Sequence, residues 1–202
     1  MNNIYFITGI GTGIGKTIVS AVLTEKLKAD YWKPVQSGDL DISDSLFVKH
    51  LVRPETIIHP ESYRLSQPLS PHLSAMLDGI QISLDAIKAP QTNNNLIIEG
   101  AGGLMVPLND NELILDLIKS LKVKVIVVSQ NYLGSINHTL LTLEVLKANQ
   151  IEVAGLIFNG TENQESEQYI AKYSNVKVLG RIPKMSVVDN ENIKRAGHHI
   201  TL

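Results

Sequence analysis

Lys16 and Thr17 close a segment in which glycine recurs at every second position, Gly9-Ile10-Gly11-Thr12-Gly13-Ile14-Gly15, after the apolar run Ile4-Tyr5-Phe6-Ile7-Thr8. Glycines in this pattern leave backbone N–H groups free to point inward without Cβ interference, so the segment can wrap a chain of phosphate oxygens. The lysine supplies a mobile positive charge for terminal phosphates, and the threonine hydroxyl suits a Mg2+ ligand. A helix starting near Lys16 adds the positive end of its dipole. The chemistry indicated is binding of a nucleoside triphosphate with Mg2+. The spacing departs from the common GxxxxGK[ST] pattern: five residues separate Gly9 from Gly15, and Ile10 stands where that pattern has glycine. A glycine-rich turn serving only tight strand–helix packing is the plainer alternative, and Gly15-Lys16-Thr17 weighs against it.

Glu99-Gly100-Ala101-Gly102-Gly103 follows the apolar run Leu96-Ile97-Ile98. An acid at the carboxyl end of a buried strand can reach a nucleotide-bound Mg2+, the role usually filled by aspartate in phosphate-loop enzymes. A solvated carboxylate before a flexible turn is the alternative. Asp44, in Ile42-Ser43-Asp44-Ser45, is by spacing alone a helix cap or first-turn acid. In Lys33-Pro34-Val35-Gln36-Ser37-Gly38 the proline holds the lysine extended, and Ser37-Gly38 forms a compact polar turn. The position of this hexapeptide after the second strand, beside the phosphate loop, raises it above an ordinary surface loop. Ser70-Pro71-His72 and Leu133-Gly134-Ser135-Ile136-Asn137-His138 are polar turns. The second leads into a long helix, whose first N–H groups form a possible carboxylate site. The histidines show no zinc-ligand spacing.

These residues are placed by an alternation of short apolar runs with longer segments of helical period. The strands expected are Ile4 to Thr8, Tyr31 to Val35, Leu96 to Glu99, Val123 to Ser129, Val153 to Asn159 and Val176 to Ile182. The helices expected are Thr17 to Lys28, Glu112 to Lys119, Ile136 to Ala148 and Asn163 to Tyr173. Runs such as Val125-Ile126-Val127-Val128 are apolar on both faces, as in a parallel sheet covered on both sides. The repeated strand–helix order predicts a doubly wound, mostly parallel α/β fold with helices on both faces. Between Asp39 and Thr92 several prolines interrupt the pattern, predicting helices and loops laid over the carboxyl ends of the strands. With no repeat or linker, residues 1–202 are expected to form a single domain.

Composition narrows the functional classes. The 202 residues are 44% hydrophobic and 19% charged, with a net charge of -2 and no basic stretch, so neither a nucleic-acid nor an anionic membrane surface is expected. No apolar run approaches bilayer length and no export segment is apparent, which points to the cytoplasm. Cysteine is absent, so disulfides, thiolate metal sites and a cysteine nucleophile are excluded.

Taken together, and in this order, the segments resemble the dethiobiotin synthetase family of P-loop NTPase-type ligases, from Ile4 to about Pro183. The resemblance is carried by Thr8-Gly9 with its five-residue spacing before Gly15-Lys16-Thr17, by Lys33-Pro34-Val35 with Ser37-Gly38, and by Ser43-Asp44 and Ser70-Pro71-His72. Glu99-Gly100-Ala101-Gly102-Gly103, Leu133-Gly134 with Ile136-Asn137-His138, Asn159, and Gly180 with Ile182-Pro183 complete it. It implies ATP-dependent joining of CO2 to 7,8-diaminopelargonate and closure of a cyclic urea, through a carbamate and a carbamic–phosphoric anhydride. Lys16 and Lys33 are implied as catalytic, and Thr17, Asp44 and Glu99 as Mg2+ ligands. Thr12 and Ser37 would lie near the carbamate and γ-phosphate, with Ser70, Pro71 and Gly134, Ser135, Ile136 and Asn137 holding the diamine and its carboxylate. Gly11, Thr12, Gly13, Ile14, Gly15, Lys16, Thr17, Glu99, Gly100, Asn159, Ile182 and Pro183 would contact the nucleotide, Asn159 at the adenine edge. A homodimer is implied, because the Gly134 segment reaches across an interface in the family. Members often carry an acid at the position of Gly13 and a polar residue at that of Gly11. After Pro183 the match fades, and Lys184 to Leu202 reads as a short polar tail. Two relatives in fold compete: a partitioning-type ATPase, which usually has a second lysine early in the loop where this chain has Ile10 and Gly11, and a cobyrinate-type amide synthetase, which needs a glutaminase cysteine.

Overall fold

The structure is a computed structural model that describes residues 3–202. Its centre is a seven-stranded parallel sheet of β1 (Ile4–Gly9), β2 (Asp30–Trp32), β4 (Ile58–His59), β6 (Leu96–Glu99), β7 (Lys124–Gln130), β8 (Val153–Asn159) and β9 (Val178–Ile182), in the order β4-β2-β6-β1-β7-β8-β9. Two further strands, β3 (Val35–Ser37) and β5 (Tyr63–Leu65), pair in parallel as a separate small sheet. The helices are α1 (Lys16–Leu27), α2 (Asp44–Leu51), α3 (Pro71–Leu77), α4 (Ile114–Leu121), α5 (Ser135–Ala148), α6 (Gln164–Ser174) and α7 (Asn190–Ala196).

Period-two alternation along the strands sends successive side chains to opposite faces, and both faces are dry. Phe6, Ile98, Val125, Val127 and Phe158 pack with Leu117 and Ile118 of α4, Leu143 and Leu146 of α5 and Ile170 of α6. On the other face Ile7, Ile97, Ile126, Val128 and Ile157 pack with Val19, Val22 and Leu23 of α1, Val48 and Leu51 of α2, and Ile193 and Ala196 of α7. Each such aliphatic side chain stabilises the fold by roughly 2 kcal/mol through removal from water.

Three segments differ from the sequence expectation, one of them being Asp39 to Thr92, which supplies the strands β4 and β5 besides helices and loops. Tyr31 to Val35 is not one strand: β2 ends at Trp32, and β3 begins at Val35 in the other sheet. Pro34 has no N–H to extend the ladder, so the chain leaves the main sheet at Lys33. Lys184 to Leu202 is not a polar tail. It contains α7, and Ile193 and Ile200 are buried against α1 and the sheet. Its apolar residues are too few and too widely spaced to stand out as a periodic stripe.

The sheet order creates the crevice in which the motifs meet. From β1 the chain crosses to β2, on the far side of β6; later it passes from β6 to β7, on the opposite side of β1. Loops after β1 and β6 therefore diverge at a switch point, where open α/β sheets bind ligands. Register does the rest. Ile7 pairs with Glu99 and Trp32 pairs with Ile98, so Glu99 stands beside the strand that feeds the phosphate loop, and Lys33 lies one residue beyond the last β2–β6 pair.

Candidate active site

Residues 10–15 leave β1 and turn into α1, which starts at Lys16 with no side-chain cap. Its first N–H groups are therefore available to an anion. The Lys16 ammonium donates to the loop's own Gly11 carbonyl at 2.8 Å and is 8% exposed at the residue level. Burial is the largest influence on it and brings its pKa down to about 8; Lys33 adds to the depression, while Glu99 and Asp44 act against it.

Below the loop lies a compact charged cluster. Thr17 Oγ1 is 2.8 Å from Glu99 Oε1 and 3.0 Å from Asp44 Oδ1. The Lys33 ammonium is 2.7 Å from Asp44 Oδ2 and 3.2 Å from Glu99 Oε1. Burial works against the charge on Lys33, but Glu99 and Asp44 outweigh it and hold the ammonium above the ordinary lysine range. Burial likewise pushes Asp44 up, and Lys33, then Thr17 and Lys16, bring it below the ordinary carboxylate range. Two lysines and two carboxylates balance in charge.

The donor set suits Mg2+. One hydroxyl and two carboxylates converge as hard oxygen ligands, and Thr17 has a single hydrogen for two carboxylate oxygens, so one of its close oxygen pairs carries no proton. Mg2+ is typically held by one or two carboxylates, with water and substrate phosphates completing its octahedron. Among the described residues no group of three or more His, Cys, Asp or Glu side chains is placed to hold a metal ion.

Around the cluster opens a cleft of about 890 Å³. Its walls include Thr12, Gly13, Gly15, Lys16 and Thr17 of the loop, Lys33 and Ser37 beside β2 and β3, Asp44, Glu99, and Ser70 and Pro71 at the start of α3. Gly11, Ile14 and Gly100 stand in the same loops without lining that cleft; Gly11 instead borders a neighbouring hollow with His138. Asn159 and Pro183 line a separate cavity of about 250 Å³ on the far side of the loop, with Ile18, Gln130 and Lys184. Ile182 is buried beneath it. Gly134, Ser135, Ile136 and Asn137 begin α5 and do not line the cleft of their own chain.

Three residues in or behind the cleft were given no role from the sequence. Tyr31 is fully buried and donates from its hydroxyl to Glu99 Oε2 at 2.9 Å, fixing the carboxylate from behind. Burial, reinforced by Glu99, holds its phenol well above the ordinary range, so it remains a donor. Gln36 donates to the Gly38 carbonyl at 3.0 Å and accepts from the Asp44 N–H at 3.3 Å, tying the β3 loop to the start of α2. Phe47 presents an exposed ring to the cleft. Tyr31 and Gln36 sit in apolar or strand-like surroundings where spacing reveals no partner, although a tyrosine in a strand buried on both faces must find one.

A family model described as AAA domain matches residues 3–192. The chain is 52% identical over 191 residues to ATP-dependent dethiobiotin synthetase BioD of Christiangramia forsetii, covering 94% of this chain and 92% of that one. It is 55% identical over 177 residues to the enzyme of the same name from Cytophaga hutchinsonii, covering 87% and 85%. To that of Brucella ovis it is 45% identical over 201 residues, covering 98% and 92%. Among solved structures it resembles a ParA family ATPase from Chlorobium tepidum TLS, with TM-score 0.59, 14% identity and coverage of 99% and 100%. It also resembles the septum site-determining protein MinD from Pyrococcus horikoshii OT3 complexed with Mg-ADP, with TM-score 0.58, 17% identity and coverage of 97% and 86%. At such identity these two show a shared P-loop NTPase fold and nothing finer.

Proposed function

The chain belongs to the ATP-dependent dethiobiotin synthetase family, and from that membership we propose how its own residues carry the ligase reaction. It is an ATP-dependent ligase of biotin synthesis. One amine of 7,8-diaminopelargonate adds to CO2 and loses a proton, giving a carbamate. A carbamate oxygen attacks the γ-phosphorus of ATP and ADP leaves, producing a carbamic–phosphoric anhydride. The second amine attacks the carbonyl and gives up a proton, phosphate leaves, and the urea ring of dethiobiotin closes.

The observation that carries this reading is the meeting of Thr17, Lys33, Asp44 and Glu99 directly beneath the glycine loop. Joining an anionic carbamate to an anionic phosphate requires positioned cations more than covalent groups. Lys16 and Lys33 both line the cleft and supply these cations, with Thr12 and Ser37 supplying hydroxyls along its walls. Thr17, Asp44 and Glu99 would hold Mg2+, which when bound supplies charge neutralisation for the phosphate oxygens. Ser70 and Pro71 face the diamine end, where Val35, Leu69 and Val106 add apolar wall for an alkyl chain. Both amines belong to one molecule, so ring closure gains from proximity.

Three further assignments complete the reading. Asn159 and Pro183 border the cavity assigned to the base. The Gly134–Asn137 turn, lying outside the cleft of its own chain, serves the substrate carboxylate of a second copy in a homodimer. The described chain works as one domain in the cytoplasm; no helix among the described residues is long and apolar enough to cross a membrane.

ADP release with and without diaminopelargonate and bicarbonate tests the reaction. Release should require both compounds. Release independent of both would instead indicate a nucleotide-switched ATPase. Lys16→Ala should lower turnover at saturating substrates by on the order of 100-fold, the scale of removing an oxyanion donor.

A further inference from the structure

We propose that Asn159 is a positioning residue for the phosphate loop, so that the side chain bordering the base cavity also sets the shape of the phosphate site. The inference rests on the nucleotide-binding reading above and goes beyond a contact with the base.

A loop that turns its N–H groups inward to phosphate must turn carbonyls outward, and each outward carbonyl in a buried stretch needs a donor. Ile14 is 4% exposed, and its carbonyl accepts from Asn159 Nδ2 at 2.9 Å. The fit between the two segments is close. A Cβ on Gly15 would fall 2.0 Å from Asn159 Nδ2, and Gly15 has φ +87, so only glycine lets the amide reach this carbonyl. The donor is itself anchored. Asn159 is the last residue of β8, paired with Gln130 of β7 and Ile182 of β9. The next residue, Gly160, donates its N–H to the Ile182 carbonyl at 2.8 Å. Its own carbonyl accepts from Arg181 Nη1 at 3.1 Å, and Arg181 is ion-paired with Glu167.

The Asn159 amide has a second N–H and an oxygen beyond the hydrogen spent on Ile14. These remain for a nucleobase in the cavity shared with Gln130 and Pro183. A base seated there bears on the group that holds the loop carbonyl just before Gly15 and Lys16.

Inorganic tripolyphosphate, which has the phosphates and no base, separates the two roles. Binding of tripolyphosphate and of ATP to the full chain is measured by calorimetry in Mg2+ buffer for the native protein, Asn159→Ala and Asn159→Asp. Thermal unfolding is recorded alongside. Asn159→Asp keeps the side-chain shape but puts an anionic acceptor where the donor was, so Asn159→Ala reads the loss of the donor alone. The expected result is a loss of tripolyphosphate affinity of ~5- to 10-fold in Asn159→Ala, the scale of one hydrogen bond, and a larger loss in Asn159→Asp, whose carboxylate also repels the anion, with both variants folded at the temperature of the titration. Native tripolyphosphate affinity in folded variants, with ATP affinity reduced, would overturn the inference and leave Asn159 as a base contact only. Failure of the native chain to bind either compound would overturn the nucleotide reading itself, and this inference with it.

Discussion

Lys33 and Asp44 form a 2.7 Å ion pair in which the lysine side chain is 5% exposed and the aspartate 35%. The same ammonium reaches Glu99, whose side chain is 1% exposed. The two carboxylates therefore depend on Lys33 unequally: water can solvate Asp44, while Glu99 is left with Lys33, Thr17 and Tyr31. Removing the lysine strands a buried charge, which costs about 3 kcal/mol. Lys33→Met should lower unfolding stability by that amount in metal-free buffer, and Asp44→Asn by about 1 kcal/mol or less. Urea titrations read both. Equal effects would mean that the buried carboxylate does not rely on Lys33.

The loop holds two glycines of different standing. Gly13 has φ +74, a region in which an L-residue costs about 1 kcal/mol or more. Gly11 is absent from the left-handed region, and a Cβ there would meet nothing within 4 Å. Gly13→Ala should destabilise the protein by about 1 kcal/mol, while Gly11→Ala stays within about 0.5 kcal/mol. Calorimetric unfolding of the two variants checks the difference. A costly Gly11→Ala would mean that the loop is crowded from a direction this structure leaves open.

Much of this arrangement was legible in the sequence, for identifiable reasons. Val125-Ile126-Val127-Val128 has the two-sided apolar character of a strand covered on both faces, and Gly15-Lys16-Thr17 after an apolar run favours a phosphate turn over a turn made only for packing. Lys33 and Glu99 were visible as strand-end residues, although their contact follows from the Trp32–Ile98 register, which no local pattern encodes. Tyr31 stayed hidden because a buried aromatic reads as packing until its hydroxyl is seen to meet Glu99. The small sheet of β3 and β5 was missed for a similar reason, since three-residue strands are too short to show a period.

Asp30 opens β2 at the end of the sheet away from the cleft, and its side chain is buried. Burial raises its pKa, but Thr92 at 2.5 Å, Asn94 at 3.0 Å and the nearby His59 outweigh that and bring it below the ordinary carboxylate range. A carboxylate with a depressed folded pKa contributes stability above its unfolded pKa and loses it as pH falls through the folded value. The native protein should therefore be more stable than Asp30→Asn at neutral pH. Its advantage should shrink as the pH is lowered through and below the ordinary aspartate range. Melting temperatures of the two across that interval measure the convergence; a constant gap would show that the carboxylate charge is immaterial.

The C-terminal segment yields the sharpest stability contrast. Ile193 is fully buried, in the cluster formed by Val19, Val22 and Leu23 of α1 and Ile182 of β9. Around it, Asn190 Nδ2 donates to the Leu51 carbonyl at 2.8 Å, and the Thr201 N–H donates to the Leu179 carbonyl at 2.7 Å, so the segment is fastened to α2 at the start of α7 and to β9 five residues beyond its end. Such anchoring prevents the surroundings from collapsing into a cavity, which places a truncation towards the costly end of its range. Ile193→Ala should lower stability by about 3 kcal/mol, whereas Val187→Ala, at a residue 57% exposed, should stay within about 0.5 kcal/mol. Because α1 carries Lys16 and Thr17 at its first turn and meets Ile193 through its buried face, well below the denaturation midpoint Ile193→Ala should keep most of its turnover. Denaturant unfolding together with ADP release, measured on the same preparations, tests both halves. A small stability loss would mean that the segment after Pro183 merely lies on the surface, as its composition alone suggests.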